Sequence, residues 1–395
     1  MPHYKYLIVG GGMTGDAAVQ GIRDVDPEGA IGLVGAEPHR PYDRPPLSKA
    51  LWKGKPVDSV WRKTDHRGVE LHLGRRIRHL DVALRRATDD AGTSYTWERL
   101  LLATGGSPRR LPFGGDDIVY FRTLDDYTRL RGLADRGQRF AVLGGGFIGS
   151  EIAAALAMNH KDVVMLFPGR GVGAHLFPDD LSQFLNAFYR ERGVDVRPGE
   201  AAAGLERGPD GQATVVSRGG GRFAVDGVVA GIGIAPNTEL AQAAALSVEN
   251  GIVVNERLQT THPAVYAAGD VAAFPNPALG KRIRVEHEDN ANTMGRAAGR
   301  AMAGAGQAYD HLPLFYSDLF ELGYEAVGDL DSRLEMVADW KDPFREGVVY
   351  YLEGGRVRGV LLWNTWGQVD AARRLIAEPG PFRSQDLAGR LPERT

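Results

Sequence analysis

The sequence predicts an α/β fold in which a parallel sheet is built twice and an α+β unit with an antiparallel sheet is added at the C-terminal end. Three observations carry this. The stretch "KYLIVGGGMTGDAAVQGI" (Lys5 to Ile22) reads as a buried strand, a glycine turn and a helix. "FAVLGGGFIGSEIAAALA" (Phe140 to Ala157) repeats that pattern, and these two stretches are the internal repeat of the chain. From about Leu312 the pattern changes to strands rich in Tyr, Phe and Val, separated by turns such as Glu353-Gly354-Gly355.

Each element follows from its residues. "AIGLVG" is a second strand after the first helix and leads into Glu37. The Pro-rich "PHRPYDRPPLSKALWKG" comes next. Pro45 and Pro46 fix φ and lack amide donors, so an irregular loop is expected, and a long loop in a compact domain is usually functional. "RLLLATGGSPRRLP" (Arg99 to Pro112) is a buried strand with a glycine exit. After the second repeat, "KDVVMLFP" is a strand. "DDLSQFLNAFYRERG" is an amphipathic helix with Leu181, Phe184, Leu185 and Phe188 on one face. "FAVDGVVAGIGIAPN" reads as a strand and a turn, and "HPAVYAAGDVAAF" as a strand ending at Gly269-Asp270. In the tail, "LFYSDLF", "YEAVGDL", "LEMVADW" and "GVVYYLEGGRVRGVLLWN" form the antiparallel sheet, closed by the helix "GQVDAARRLIAE". Trp363, Trp366, Tyr350 and Tyr351 lie in these strand patterns and are expected in the core.

Length and composition bound the function. A chain of 395 residues is too long for one core, so two or three domains are expected. A net charge of −3 gives no reason to expect a nucleic-acid partner. No run reaches the ~18 apolar residues of a membrane helix, so no membrane is expected as a partner. Strand-like sequence starts at Tyr4 with no signal peptide before it, so the cytoplasm is the expected location. The chain has no cysteine, which excludes disulfides, thiolate iron–sulfur ligation and a redox-active dithiol. Its ten histidines lack metal-ligand spacing; the densest cluster is Glu286-His287-Glu288, and no metal is assigned to it.

The two repeats carry the chemistry. Gly10, Gly12 and Gly15 form G-x-G-x-x-G between strand and helix. The first glycine permits the tight turn, the second admits a pyrophosphate to the backbone, and the third lets helix and strand pack closely. The helix N-terminus, here Met13-Thr14, adds amide donors and a favourable dipole for phosphate. Glu37, at the end of the next strand, is the acid that hydrogen-bonds an adenosine ribose. Both halves therefore read as Rossmann-like dinucleotide-binding domains. The second cradle has Gly144, Gly146 and Gly149 at the same spacing, with Phe147-Ile148 at its helix start. Its expected acid is missing: Phe167, Pro168 and Gly169 occupy the region, followed by Arg170. A carboxylate would repel a 2′-phosphate, whereas Arg170 either attracts one or is simply solvated.

With both cradles placed, the sequence resembles the two-dinucleotide flavoproteins of glutathione-reductase-like fold. "LLLATGG" and "VYAAGDVA" look like two further flavin-site motifs of that family. "RPYDRPPLSK" (Arg40 to Lys49) is similar to the flavin loop of oxygenase-coupled ferredoxin reductases of the putidaredoxin reductase type. "VEHEDNANTMGRAAG", "FYSDLFELGYEAVGDL" and "GVVYYLEGGRVRGVLLWNTWGQVDAARRLI" resemble the apoptosis-inducing factor family. The resemblance implies an FAD-binding domain in two parts (1–112 and 243–311), an NAD(P)H-binding domain (113–242) and a C-terminal domain (312–395). It implies FAD contacts from Gly10, Gly12, Met13, Thr14, Gly15, Glu37, Arg44, Lys49, Thr104, Gly105, Gly269 and Asp270, with Asp270 on the ribityl chain. It places Gly144, Gly146, Phe147, Ile148, Gly149, Glu151, Arg170 and Gly233 at the nicotinamide nucleotide. Lys49 and Glu151 would form the catalytic ion pair beside the reacting rings. Glu286 and His287 would pack near the flavin, unless His287 is a core histidine, and Phe315 and Tyr316 would approach from the tail. Trp363 is either core or a further flavin neighbour. Two departures stand out: Tyr316 replaces the family Trp, and "DSRLEMVADWKDPFREGVVYYL" leaves no room for the long tail insertion of apoptosis-inducing factor.

The implied activity is hydride transfer from NADH or NADPH to FAD, then single electrons to an iron–sulfur ferredoxin that serves an oxygenase; NADH is the donor the resemblance favours. The cofactors carry the organic chemistry while the protein supplies orientation and electrostatics. Without cysteine, no internal dithiol can take the electrons. Ferredoxins are typically acidic, and Arg75, Arg76, Arg78, Arg109 and Arg110 are candidates for a docking patch. The alternatives are an NADH-responsive flavoprotein with a long-lived charge-transfer complex, and an NAD(P)H:quinone reductase. No sequence feature decides the oligomeric state.

Overall fold

A computed structural model describes residues 1–208 and 211–392. The chain divides into two units. One contains 1–44, 57–107 and 235–313, and the other contains 45–56, 108–234 and 314–395.

The first unit is built on a parallel sheet in the order Val69–Leu73, Ile31–Gly35, His3–Val9, Ser94–Leu102, Val265–Ala267. The central strands carry apolar runs where both faces are covered: Leu7, Ile8, Leu33, Leu100 and Leu101 are fully buried. The long central strand also pairs, through its first half, with the antiparallel hairpin Ile77–Asp81 and Arg86–Asp89, which the sequence reading did not distinguish. The cradle helix Met13–Arg23 packs against helix Glu288–Met302. The two backbones approach closely because the second helix carries glycine there; a Cβ on Gly299 would lie 2.1 Å from the Ala18 carbonyl oxygen.

The second unit repeats the parallel sheet, with the first four strands in the same order and an edge strand that precedes the cradle in sequence: Val194–Pro198, Asp162–Phe167, Arg139–Leu143, Gly227–Ala230, Ile118–Tyr120. "FAVDGVVAG" is therefore two strands, Arg222–Val225 in a small three-stranded sheet and Gly227–Ala230 in the parallel one. Helix Leu124–Arg136 is fixed at its start by a reciprocal Thr123–Asp126 capping box. The amphipathic helix forms over Asp179–Glu191, with Leu181, Leu185 and Phe188 buried as expected and Phe184 half-buried. The tail is an antiparallel sheet in the order Leu314–Leu319, Leu322–Gly328, Arg356–Trp363, Glu346–Glu353, Glu335–Asp342, followed by helix Val369–Ala377.

Two expectations are corrected. The Pro-rich stretch is not irregular: Pro45–Ser48 and Ala50–Lys53 are consecutive 3₁₀ turns. Proline suits the first positions of such a turn, where its φ is preset and no amide is needed. Trp366 is not core; it is 54% exposed, beyond the last strand, with its ring against Gly323. Trp363, Tyr350 and Tyr351 are fully buried. Trp363 stacks on Tyr324 with ring centroids 5.7 Å apart, and its Nε1 donates to the Phe344 carbonyl, which makes it a core residue. Among the described residues no helix is long and apolar enough to cross a membrane, and no group of three or more His, Asp or Glu is placed to hold a metal ion.

Candidate functional site

In the first unit, the strand His3–Val9 ends at Gly10, whose amide donates to the Val34 carbonyl (2.8 Å). Gly10 has φ +133°, and a Cβ there would sit 2.0 Å from the Ala103 oxygen, so glycine is required. Helix Met13–Arg23 begins after Gly12 with no side-chain cap, so its first amides, which have no partner within the helix, are not taken by a capping side chain. A Cβ on Gly12 would meet nothing within 4 Å. This open, amide-lined turn fits a pyrophosphate. Thr14 and Gly15 are buried in the first turn, and the Met13 sulfur accepts the Arg44 amide (3.3 Å).

Glu37 gathers the loop around it. Its Oε1 takes Arg44 (2.5 Å) and its Oε2 takes the Tyr42 hydroxyl (2.5 Å). Burial opposes the Arg44 charge, but Glu37 and Tyr42 carry its pKa above the usual value. Elsewhere in this unit, the Thr104 hydroxyl donates to the Asn237 carbonyl (2.8 Å), and the Gly105 carbonyl accepts the Asn237 amide (2.9 Å). The Gly269 amide donates to the Met294 sulfur (3.2 Å), and the Asp270 carbonyl accepts Arg284 (3.0 Å), which also pairs with Glu286 (2.6 Å). His287 stands at the start of helix Glu288–Met302 in extended backbone.

In the second unit, the second cradle copies the first. Gly144 donates to Leu166 (2.9 Å), and helix Phe147–Met158 starts after Gly146 with no side-chain cap. Phe147 and Ile148 are half-buried in its first turn, and Gly149 is buried. Gly233 has φ +89°, and its carbonyl accepts the Arg109 amide (2.9 Å). Arg170 is exposed.

Glu151, on the cradle helix, is 4% exposed at its side chain. Its Oε1 accepts Lys49 Nζ (2.6 Å) and the Ser317 hydroxyl (2.6 Å); its Oε2 accepts the Ser48 hydroxyl (2.5 Å). Three chain segments thus converge on one carboxylate. Lys49 is positioned by its loop: Trp52 Nε1 donates to the Leu47 carbonyl (2.8 Å), and Asn159 Nδ2, just past the cradle helix, holds the Trp52 carbonyl (3.1 Å). The Lys49 ammonium also lies 5.3 Å from the centroid of Tyr316, whose side chain is part-exposed at 37%. Alternation along Leu314–Leu319 buries Phe315, Ser317 and Leu319 and turns Tyr316 outward. Burial and the Glu151 charge push the phenols of Tyr189 and Tyr324 well above the usual tyrosine range, so both stay neutral.

The structure thus brings together Lys49, Glu151 and Tyr316, with Phe147 and Phe315 edge-to-face at 5.4 Å. Arg75, Arg76 and Arg78 lie in the first unit and Arg109 and Arg110 in the second; all five are exposed. Three residues were not found from the sequence. The sequence reading did not single out Ser48 or Ser317. His175 sits beside the second cradle, its ring 3.9 Å from where a Cβ on Gly146 would lie and edge-on to Phe147.

The family model described as Pyridine nucleotide-disulphide oxidoreductase matches residues 4–295. The one described as Apoptosis-inducing factor, mitochondrion-associated, C-term matches 298–343 and 338–378. The chain is 36% identical over 367 residues to the 5,5'-dehydrodivanillate O-demethylase ferredoxin reductase subunit of Sphingobium sp., covering 90% of this chain and 89% of that protein. It is 34% identical over 418 residues to Apoptosis-inducing factor 1, mitochondrial, of Dictyostelium discoideum, covering 94% and 78%. The reductase in the crystal structure of the covalent putidaredoxin reductase–putidaredoxin complex superposes with a TM-score of 0.90 at 32% identity, over 96% of this chain and 94% of that one.

Two outcomes follow from the site. Ser317→Ala removes a buried donor to a charged acceptor and is expected to cost about 1–3 kcal/mol, read as a lower urea midpoint. Burial holds the His175 pKa below its ordinary 6.5, with Asp331 partly opposing. As pH falls through that value the unfolded chain takes up the proton first, so stability drops. His175→Gln should flatten the fall in urea midpoint between roughly pH 7 and 5 relative to the parent; an unchanged slope would assign that fall to other groups.

Proposed function

Because the chain belongs to the pyridine nucleotide-disulphide oxidoreductase family, whose members bind FAD and a pyridine nucleotide, we propose that it is an NAD(P)H-dependent ferredoxin reductase. In this reading it oxidises NADH, or NADPH, through bound FAD and delivers single electrons to an iron–sulfur ferredoxin that serves an oxygenase. The observation that carries the reading is the buried Lys49–Glu151 pair with its two serine donors. The cysteine-free sequence supports an external acceptor, since no dithiol within the chain can take the electrons.

FAD, when bound, supplies the coupling of a two-electron hydride donor to a one-electron acceptor. The chain's own residues supply the rest. The first cradle, Glu37, Arg44, Thr104, Gly105, Gly269 and Asp270 hold the flavin nucleotide, with Glu286 and His287 beside it. The second cradle holds the pyridine nucleotide, with Gly233 and Arg170 at its edge. Lys49 would supply a positive charge to offset the negative charge that accumulates on reduction. Glu151 fixes that ammonium and excludes other positions for it. Tyr316 offers a ring face in place of the family Trp. The domain division follows: an FAD domain in two parts (1–112 and 243–311), an NAD(P)H domain (113–242) and a tail domain (312–395). The exposed Arg75, Arg76 and Arg78, or Arg109 and Arg110, are the proposed contacts for an acidic ferredoxin. A cytoplasmic location completes the reading.

The tail match favours one other reading, an NADH-responsive flavoprotein that keeps a long-lived charge-transfer complex. Against it, only residues 343–345 join the strands Glu335–Asp342 and Glu346–Glu353, which supports the absence of an inserted segment there.

Anaerobic stopped-flow reduction by NADH, followed by mixing with a ferredoxin or with air, separates the two. The reductase reading expects fast ferredoxin reduction and slow oxygen consumption. A charge-transfer band that survives in air for minutes would establish the other. Lys49→Ala should slow flavin reduction by at least about tenfold, ~1.4 kcal/mol of barrier; an unchanged rate would remove its assigned role.

A further inference from the structure

We propose that the second cradle does not discriminate against a 2′-phosphate, so that NADPH is accepted beside NADH, with Gly169 as the position that sets this and Arg170 as the cation that meets the phosphate. This rests on the reading of that cradle as the pyridine-nucleotide site.

The two parallel sheets allow residues to be matched by backbone bonds. In the first, the Gly10 amide donates to Val34, and the Gly74 amide donates to Glu37 (2.9 Å), three residues further on. In the second, the Gly144 amide donates to Leu166, and the Gly199 amide donates to Gly169 (2.8 Å), again three residues further on. The strand register agrees: Gly35 lies opposite Leu73, and Phe167 opposite Pro198, each just before the donating glycine. Gly169 therefore stands where Glu37 stands in the first cradle.

An acid at this place accepts hydrogen bonds from ribose hydroxyls and repels a phosphate. Glu37 has that carboxylate, and Gly169 has none. Packing does not impose the difference, because a Cβ on Gly169 would meet nothing closer than 3.9 Å and its φ is not left-handed. The next side chain, Arg170, is exposed, and its guanidinium has no partner among the described residues. Its backbone carbonyl is held by Asn186 Nδ2 (3.1 Å) and Gln183 Nε2 (3.2 Å), which fixes where the side chain starts. Two other charges near this edge are engaged. Glu200, after Gly199, accepts the Ser217 hydroxyl (2.5 Å), and Arg197 pairs with Asp195 (2.8 Å). Arg170 thus offers a cation directly after a ribose position that carries no acid.

The test measures binding of ADP and 2′,5′-ADP to the flavin-loaded protein by calorimetry, which needs no turnover. The inference expects 2′,5′-ADP to bind within about tenfold of ADP or more tightly. Discrimination against it beyond tenfold would overturn the inference while leaving the site reading intact. Failure of both nucleotides to bind would instead refute the site reading and this inference with it. Gly169→Glu should shift the affinity ratio toward ADP by at least about tenfold, and Arg170→Ala by about threefold. A ratio that stays put in either variant would remove the role given to that residue.

Discussion

One carboxylate constrains the second unit. Glu151 is withdrawn from water, and moving an ionised group of that kind inside a protein costs several kcal/mol unless its oxygens are matched. The match comes from an ammonium and a hydroxyl on the Pro-rich loop and a second hydroxyl on the first tail strand, both distant in sequence from the cradle helix that carries the carboxylate. None of the three can settle independently of the other two. The 3₁₀ turns of the loop, the Trp52 anchor and the alternation of the tail strand all serve the arrival of those donors at one point. The pair stays hydrogen-bonded and directional because each carboxylate oxygen already has a partner.

The cradles show the complementary strategy. Where Glu151 is saturated, the cradle helices begin in a different way. Neither helix has a side-chain cap, and the space beyond Gly12 is open. A buried charge is satisfied from within, and a set of uncapped amides is kept for an anionic guest. The order of the four strands around each cradle and the turn bonds are shared by the two halves, so the fold builds two matching cradles. They differ in the side chains at the ends of their second strands, Glu37 in one and Gly169 in the other.

Much of this could be read from the chain alone, for identifiable reasons. The cradles were legible because G-x-G-x-x-G needs only local neighbours, and the tail sheet because period-two alternation persists over whole strands. Lys49 and Glu151 were located through motif resemblance, not through any local rule. Ser48 and Ser317 were missed because a serine beside a lysine, or in "YSD", looks like surface; only topology carries both to Glu151. His175 escaped for the same reason. Trp366 was misplaced because strand-like composition continues past Trp363, whereas the strand itself stops there. The 3₁₀ turns were hidden because proline signals a break in regular structure and also suits the first turn of a tight helix.

The registration of the tail sheet has a further consequence. Ser317 faces Tyr324 across the hairpin, and Tyr324 in turn lies on Trp363. A single residue gained or lost within Leu314–Leu319 would exchange the inward and outward rows, presenting a phenol where the hydroxyl belongs. The spacing of Leu314–Leu319 is therefore fixed by what its inward row must reach, and a change of length in this strand would cost the carboxylate one of its donors.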